Sequence, residues 1–325
     1  MILVTGASGF IGRALVKALK AQGHRVRALM RNLVPGPWDE VALVDLAQPD
    51  FNATSAMRDV STVFHLAGIA HSYGIPPQHY QRVNVAGTQR LLHAAQQAEV
   101  ETFVFFSSVK AAAEPPPERC VDEGWTLWPT EPYGYSKRMA EEHVLQAGQQ
   151  STMHVTVLRP TLVYGPGVKG NLQRFISLVQ RGWMPPVPPV RNRRSYIHVQ
   201  DLVLAALTVA RTKSTRGKVY IVAETEPYST YEIYHGILQA LGRARPRWAL
   251  PYPVWLGLAK IGDLLEMVLR RPLPWNSQAA RRFFGSACYI SAKLQNETPW
   301  RPTRTLLSSL EEVIKGDDHE KRSII

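Results

Sequence analysis

The feature that most restricts this chain lies at its start, where an apolar run, Ile2–Thr5, breaks on Gly6, Gly9 and Gly12 and passes into the helical pattern of Ile11–Gln22. A strand that turns on glycine into a helix leaves main-chain N–H groups unpaired and lets an anion approach them closely. Gly6, Ser8, Gly9, Phe10, Ile11 and Gly12 therefore read as a cradle for the pyrophosphate of a dinucleotide. The spacing is G-x-x-G-x-x-G rather than G-x-G-x-x-G, so a purely structural turn competes with that reading while the glycines stand alone.

The sequence beyond the turn keeps the same alternation. Arg25–Leu29, Ala42–Val44, Thr62–Leu66, Thr102–Phe106 and Val155–Leu158 read as strands, with helical stretches at Gln81–Gln97 and Tyr133–Ala147. Strand alternating with helix predicts an α/β fold, a Rossmann-type doubly wound parallel sheet. Residues 111–132, with Pro115-Pro116-Pro117 and Gly124, predict a long surface loop. After Tyr164-Gly165-Pro166-Gly167 the composition moves towards Pro, Arg and Trp, which predicts a smaller C-terminal substrate-binding lobe. The expected boundaries are 1–165 for an NAD(P)-binding domain, with the chain returning to it at about 195–225, and 166–325 mainly for the lobe.

Composition narrows the class further. With 45% hydrophobic and 20% charged residues the chain is expected to fold throughout. No apolar run approaches the length of a transmembrane helix, and the first residues lack a secretory pattern, so the protein is expected in the cytoplasm. Cys120 and Cys288 lie far apart and near no ligand spacing, which predicts two isolated thiols and no metal site. The net charge of +12 points to an anionic partner, but the arginines come in small groups without a zinc-finger or RNP motif, so nucleic acid is not expected. Val254–Leu269 places apolar residues at helical spacing and predicts a core-facing amphipathic helix; Trp255, Arg270, Arg271 and Trp275 leave a surface-lying membrane helix as the lesser alternative.

The end of the second strand bears on the cofactor, because a carboxylate there receives the ribose hydroxyls and a cation pairs with a 2′-phosphate. The sequence reads Arg27-Ala28-Leu29-Met30-Arg31-Asn32, so Arg31 favours NADP over NAD. Asp45 and Leu46, after the third strand, are placed to meet the adenine, and Leu66, Ala67 and Gly68, after the fourth, to pass close to the cofactor. Tyr133 and Lys137 stand four apart on one helical face, where the ammonium can lower the pKa of the phenol and make it a proton donor and acceptor for hydride chemistry. The strand before that helix ends Phe105-Phe106-Ser107-Ser108, which places serine hydroxyls at the ligand-binding edge of the sheet.

The segments T-G-A-S-G-F-I-G, H-L-A-G, N-V-A-G-T, F-F-S-S, Y-G-Y-S-K, L-R-P-T-L-V-Y-G-P-G and R-R-S-Y-I-H-V together resemble the extended short-chain dehydrogenase/reductase family, and within it the nucleotide-sugar epimerase/dehydratase group. The resemblance is strong to about residue 210 and weaker beyond. It implies that Ser108 orients the reacting carbonyl or hydroxyl, with Ser107 able to share that role, that Tyr133 is the acid/base, and that Lys137 tunes it and holds the nicotinamide ribose. It also implies that Asn84 belongs to the active-site helix, that Pro160 and Thr161 lie beside the nicotinamide, and that Asn171 and Arg194 hold the diphosphate of a nucleotide sugar, expected to be UDP-linked. Relatives commonly pair through the helices carrying Asn84 and Tyr133, which implies a homodimer.

Dehydratases of this group resemble one another in an Asp-Glu pair soon after the serine; here Val109-Lys110-Ala111 follows Ser108, which disfavours dehydration. Chemistry at carbon 4 remains. The S-S-V-K and N-R-R-S segments resemble the enzymes of bacterial O-antigen synthesis that reduce UDP-4-keto-6-deoxy-N-acetylhexosamines, with UDP-glucose/UDP-galactose 4-epimerisation as the alternative. A non-catalytic cofactor sensor is the third reading, opposed by the intact Ser-Tyr-Lys set. His65 and Trp300 are expected to pack, and His198 and Asp201 to cap or pack a helix starting near Val199.

Overall fold

The structure is a computed structural model and describes residues 1–70, 74–271, 273 and 275–322. Its strands are β1 (Ile2–Thr5), β2 (Val26–Met30), β3 (Glu40–Leu43), β4 (Thr62–His65), β5 (Thr102–Phe106), β6 (His154–Pro160), β7 (Leu162–Tyr164), β8 (Tyr196–His198) and β9 (Lys218–Val222). Seven of them form one parallel sheet in the order β3-β2-β1-β4-β5-β6-β9, while β7 and β8 pair separately. Parallel strands need crossovers and are covered on both faces, which is why their sequences are nearly continuous apolar runs.

Helices α1 (Phe10–Ala21), α2 (Pro77–Tyr80), α3 (Gly87–Gln97), α4 (Pro132–Gln149), α5 (Asn171–Gln180) and α6 (Val199–Arg211) follow in chain order, with a π-helical turn, Gln81–Ala86, joining α2 to α3. α1 and α6 cover one face of the sheet, around Val4, Leu15, Val104 and Leu202. α3 and α4 cover the other, around Leu3, Leu91, Phe103 and Val144. Leu3 and Val4, like Phe103 and Val104, are neighbours that serve opposite cores because successive strand side chains alternate. Within the second layer Arg159 of β6 and Glu141 of α4 form a buried bidentate pair, with nitrogen–oxygen distances of 2.9 and 2.6 Å.

The remaining helices are α7 (Thr230–Ala240), α8 (Tyr252–Leu269), α9 (Ser277–Phe284), α10 (Ala292–Glu297) and α11 (Leu306–Arg322). A third core outside the large sheet gathers Tyr164, Ile176, Ile233, Ile237 and Leu310. His198 and Asp201 act as the sequence predicts: His198 Nδ1 accepts from Gln200 N at the start of α6, and buried Asp201 accepts from the backbone N–H of Thr303 and Arg304. Buried Trp300 donates its indole N–H to the Asp201 carbonyl.

Two sequence expectations are overturned. Cys120 and Cys288 are joined as a disulfide across 168 positions, because a parallel bridge between Val121 and Tyr289 brings their Cα atoms to 4.4 Å. Linear spacing carries no trace of such a long-range contact. The helix over Val254–Leu269 also forms, but it is not core-facing. α8 buries only Trp255, Ala259 and Gly262, a narrow stripe at helical spacing that packs on Trp275 and Phe284, and turns most of its aliphatic side chains outward. Among the described residues no helix is long and apolar enough to cross a membrane.

Candidate active site

The sheet order reverses between β1 and β4, so the chain leaves these strands in opposite directions and opens a crevice at their C-terminal ends. The glycine turn lies there. Gly6 has φ of +68°, and a Cβ on it would lie 2.9 Å from the backbone nitrogen of Ala67; a Cβ on Gly12 would lie 2.2 Å from the Gly6 carbonyl oxygen. Both positions need glycine for the turn to close against β4 and for α1 to approach it. α1 begins at Gly9 without a side-chain cap and without an acidic residue in its first turn. The N–H groups of Phe10, Ile11 and Gly12 thus point to a position where an anion is stabilised, and a dinucleotide pyrophosphate fits that cradle. Ser8 is exposed beside it, while the Phe10 side chain packs away towards Tyr164 and its neighbours.

The other cofactor-side residues lie along the same edge. Arg31 follows the end of β2, is exposed, and is in none of the salt bridges among the described residues; no carboxylate adjoins it in sequence. Asp45, past β3, accepts from the Ala47 N–H and fixes its own turn, with Leu46 buried against Gly87. Leu66 and Ala67 donate their N–H groups to Thr5 Oγ1, which holds the segment after β4 beside the glycine turn. Gly68 follows; a Cβ there would meet Asn84 Oδ1 at 2.9 Å. Asn84 itself is buried, with its amide committed to the backbone of Ile69 and to Ser136 Oγ, so it ties the segment after β4 to α4. His65 is the buried imidazole the sequence predicts. Its nitrogens lie 2.7 Å from Thr5 Oγ1 and 2.8 Å from Thr88 Oγ1, and burial pushes its pKa down to about 3.

The reacting groups are assembled from β5 and α4. Ser107 is buried with an unpartnered hydroxyl, and its N–H donates to the Leu158 carbonyl. Ser108 begins a short 3₁₀ turn, Val109–Ala111, and accepts from Lys110 N at 3.2 Å. Tyr133, in the first turn of α4, has its hydroxyl near Ser108 and its ring edge-on to Tyr80 at 6.0 Å. Burial raises the pKa of that hydroxyl, the neighbouring Ser108 hydroxyl opposes the shift, and Tyr80 adds to it. Lys137 is buried one turn on. Its ammonium donates to the Phe106 carbonyl at 2.9 Å and lies over the Phe105 ring, and burial lowers its pKa to about 8 while Glu141 works the other way. The expected depression of the phenol by Lys137 is thus not what governs Tyr133 in this state: the ammonium is engaged by Phe106, and loss of water around the hydroxyl dominates.

Pro160 ends β6 and is buried beside Thr161, whose hydroxyl donates to the Val222 carbonyl. Asn171 is exposed at the start of α5, after Gly170 with φ of +93°. Arg194 is half-buried and donates to the carbonyls of Arg282 and Gly285, with Tyr196 and Glu114 also within its field. Tyr80 and Arg282 are the neighbours sequence reasoning missed. Tyr80 stands one turn before Asn84 on the same helical run, a spacing that could have flagged it; Arg282 is 88 positions from Arg194, and no local pattern links them. Among the described residues no cluster of three or more His, Cys, Asp or Glu could hold a metal.

The family model that matches this arrangement is the NAD dependent epimerase/dehydratase family, over residues 2–223. The chain belongs to that family. It is 32% identical to a UDP-glucose 4-epimerase of Vibrio cholerae over 78% of this chain and 79% of the relative. It is 28% identical to a 3 beta-hydroxysteroid dehydrogenase/Delta 5-->4-isomerase of Mycobacterium tuberculosis over 96% and 89%. Among solved structures, MoeE5 in complex with UDP-glucose and NAD superposes with a TM-score of 0.76 at 25% identity, covering 100% of this chain and 99% of that one. The chain with its Rossmann sheet thus belongs to an NAD dependent enzyme family that includes a UDP-glucose 4-epimerase.

Proposed function

We propose that the protein uses NADPH to reduce the keto group at carbon 4 of a UDP-linked 6-deoxy-N-acetylhexosamine, a step of the kind used in bacterial surface-polysaccharide synthesis. The observation that carries this reading is the meeting of Ser108, at the end of β5, with Tyr133 and buried Lys137, one turn apart on α4. A phenol is protonated at neutral pH, the state from which ketone reduction starts, and the Lys137 cation one turn on offsets the charge that its proton leaves behind. Arg31 at the end of β2 supports NADP(H), a cofactor that exchanges between turnovers, as net reduction requires.

The nicotinamide, when bound, supplies the hydride to the carbonyl carbon. Ser108 and Tyr133 hold the carbonyl oxygen, and Tyr133 gives it the proton, so the C=O bond becomes CH–OH. Tyr133 is left as a phenolate in a dry site, and the Lys137 cation one turn away offsets that charge. Asn171 and Arg194 are proposed to hold the diphosphate, Arg194 with a guanidinium that the Arg282 and Gly285 carbonyls fix in place. Pro160 and Asp45 are proposed to border the cofactor. A homodimer through α3 and α4 is proposed from the resemblance to paired relatives.

The second reading, 4-epimerisation, is favoured by the 32% identity to the Vibrio cholerae UDP-glucose 4-epimerase. Incubation with UDP-4-keto-6-deoxy-N-acetylglucosamine while NADPH absorbance is followed separates the two. Reduction consumes one NADPH per product; interconversion of UDP-glucose and UDP-galactose with only catalytic cofactor would overturn it.

A further inference from the structure

α8 presents a face that this chain does not cover. Ile261, Leu264 and Val268 lie opposite its buried stripe, flanked by Val254, Leu258 and Met267, and all six are exposed, Val268 to 68% and Met267 to 70%. Over 18 residues the helix runs for about 27 Å. Exposed aliphatic side chains on this scale mark a surface built for an apolar neighbour.

The charges around the face indicate which neighbour. Between residues 241 and 285 the only carboxylates are Asp263 and Glu266, and both are bound to the turn that follows the helix. Asp263 accepts from the Ser277 N–H and hydroxyl, and Glu266 from Leu273 N and Asn276 Nδ2. Apart from exposed Asp263, which Ser277 engages, the outward-facing charges are cationic. Lys260 lies on the helix, Arg270 and Arg271 follow its last turn, and Arg245 and Arg247 precede its first, all exposed. Trp248 and Trp183 are exposed at the same end, where Leu250 N donates to the Pro186 carbonyl and joins the two segments. Apolar residues ringed by cations, with tryptophan at the margin, match the boundary between acyl chains and anionic headgroups. A second copy of this chain fits less well, because a self-complementary contact would set these cations against one another with only Asp263, already engaged by Ser277, to offset them.

We infer that α8 seats the protein on an anionic lipid bilayer, with Ile261, Leu264 and Val268 entering the acyl boundary and Arg270 and Arg271 at the headgroups. The helix lies on the surface and does not span it. The inference is independent of which sugar or cofactor the site takes. α9, which packs on α8, supplies the Arg282 carbonyl that holds Arg194, so the seated helix and one wall of the site are directly joined.

Co-sedimentation of the full chain with vesicles tests this, using phosphatidylcholine alone and phosphatidylcholine with phosphatidylglycerol. Partitioning should be more than about tenfold stronger on the anionic vesicles and should weaken with salt. Leu264→Ser with Val268→Ser should reduce it by about a hundredfold, and Arg270→Ala with Arg271→Ala by about thirtyfold on anionic vesicles only. Thermal unfolding of both variants should match the parent, which shows that the fold is intact. Absence of partitioning to either vesicle would overturn the inference. So would a lipid-free oligomer of the parent chain that Leu264→Ser with Val268→Ser splits in sedimentation velocity, since α8 would then be a subunit interface.

Discussion

The crevice at the ends of β1 and β4 and the outer face of α8 use similar residues to opposite ends. In the crevice each unusual residue answers to a neighbour within the chain: Gly12 to the Gly6 carbonyl, Asn84 to Ile69 and Ser136, His65 to Thr5 and Thr88. On α8 the unusual residues answer to nothing inside. Beyond its own helix backbone and adjoining residues, nothing lies within 4 Å of where a Gly257 Cβ would stand, and Leu264 is 56% exposed. A glycine or a leucine in a helix therefore acquires meaning only from what its face meets, and for α8 that partner lies outside the chain.

The comparison is sharpest at its two glycines. Gly12→Ala should cost about 3 kcal/mol or more, because its Cβ would overlap backbone that cannot yield without opening the turn, and NADPH binding should fall with it. Chemical denaturation and cofactor titration check both effects; an alanine tolerated without loss would mean that the turn is not closed as described. The disulfide sets the next scale. Cys120→Ser with Cys288→Ser should lower stability by about 2–4 kcal/mol, since the bond ties the loop before α4 to a distant segment between α9 and α10. Equal melting temperatures for the reduced and oxidised protein would count against the bond. The smallest effect has the opposite sign: Gly257→Ala should raise stability by about 0.5–1 kcal/mol, because alanine favours the helix and nothing opposes its methyl group. A loss there would show that the outer face of α8 is covered within the chain.

Local chemistry made the crevice legible in sequence. The run from Ile2 through Gly12 encodes strand, turn and helix in one stretch, and Tyr133 and Lys137 share a face by spacing alone. The parallel, doubly wound sheet follows from the same alternation. Contacts between distant segments were not legible: the bridge from Val121 to Tyr289 that joins the cysteines, and the approach of Arg282 to Arg194. For α8 the apolar period was clear, but periodicity reports that a face is apolar and not what covers it. Lys137 shows a subtler gap, because its place beside Tyr133 was visible while its bond to the Phe106 carbonyl, which directs the ammonium elsewhere, depends on where β5 ends.

The central claim is that Tyr133 gives the proton and Lys137 offsets the charge it leaves. Lys137 holds its proton below about pH 8 and loses it above, so the rate of ketone reduction should be level at lower pH and fall as pH rises through that value. The most direct measurement is single-turnover oxidation of bound NADPH by a 4-keto nucleotide sugar, across that range, for the parent and Tyr133→Phe. The account predicts that Tyr133→Phe slows the step by about 10²–10⁴-fold with NADPH affinity unchanged. A Tyr133→Phe protein that turns over at the parental rate would contradict it.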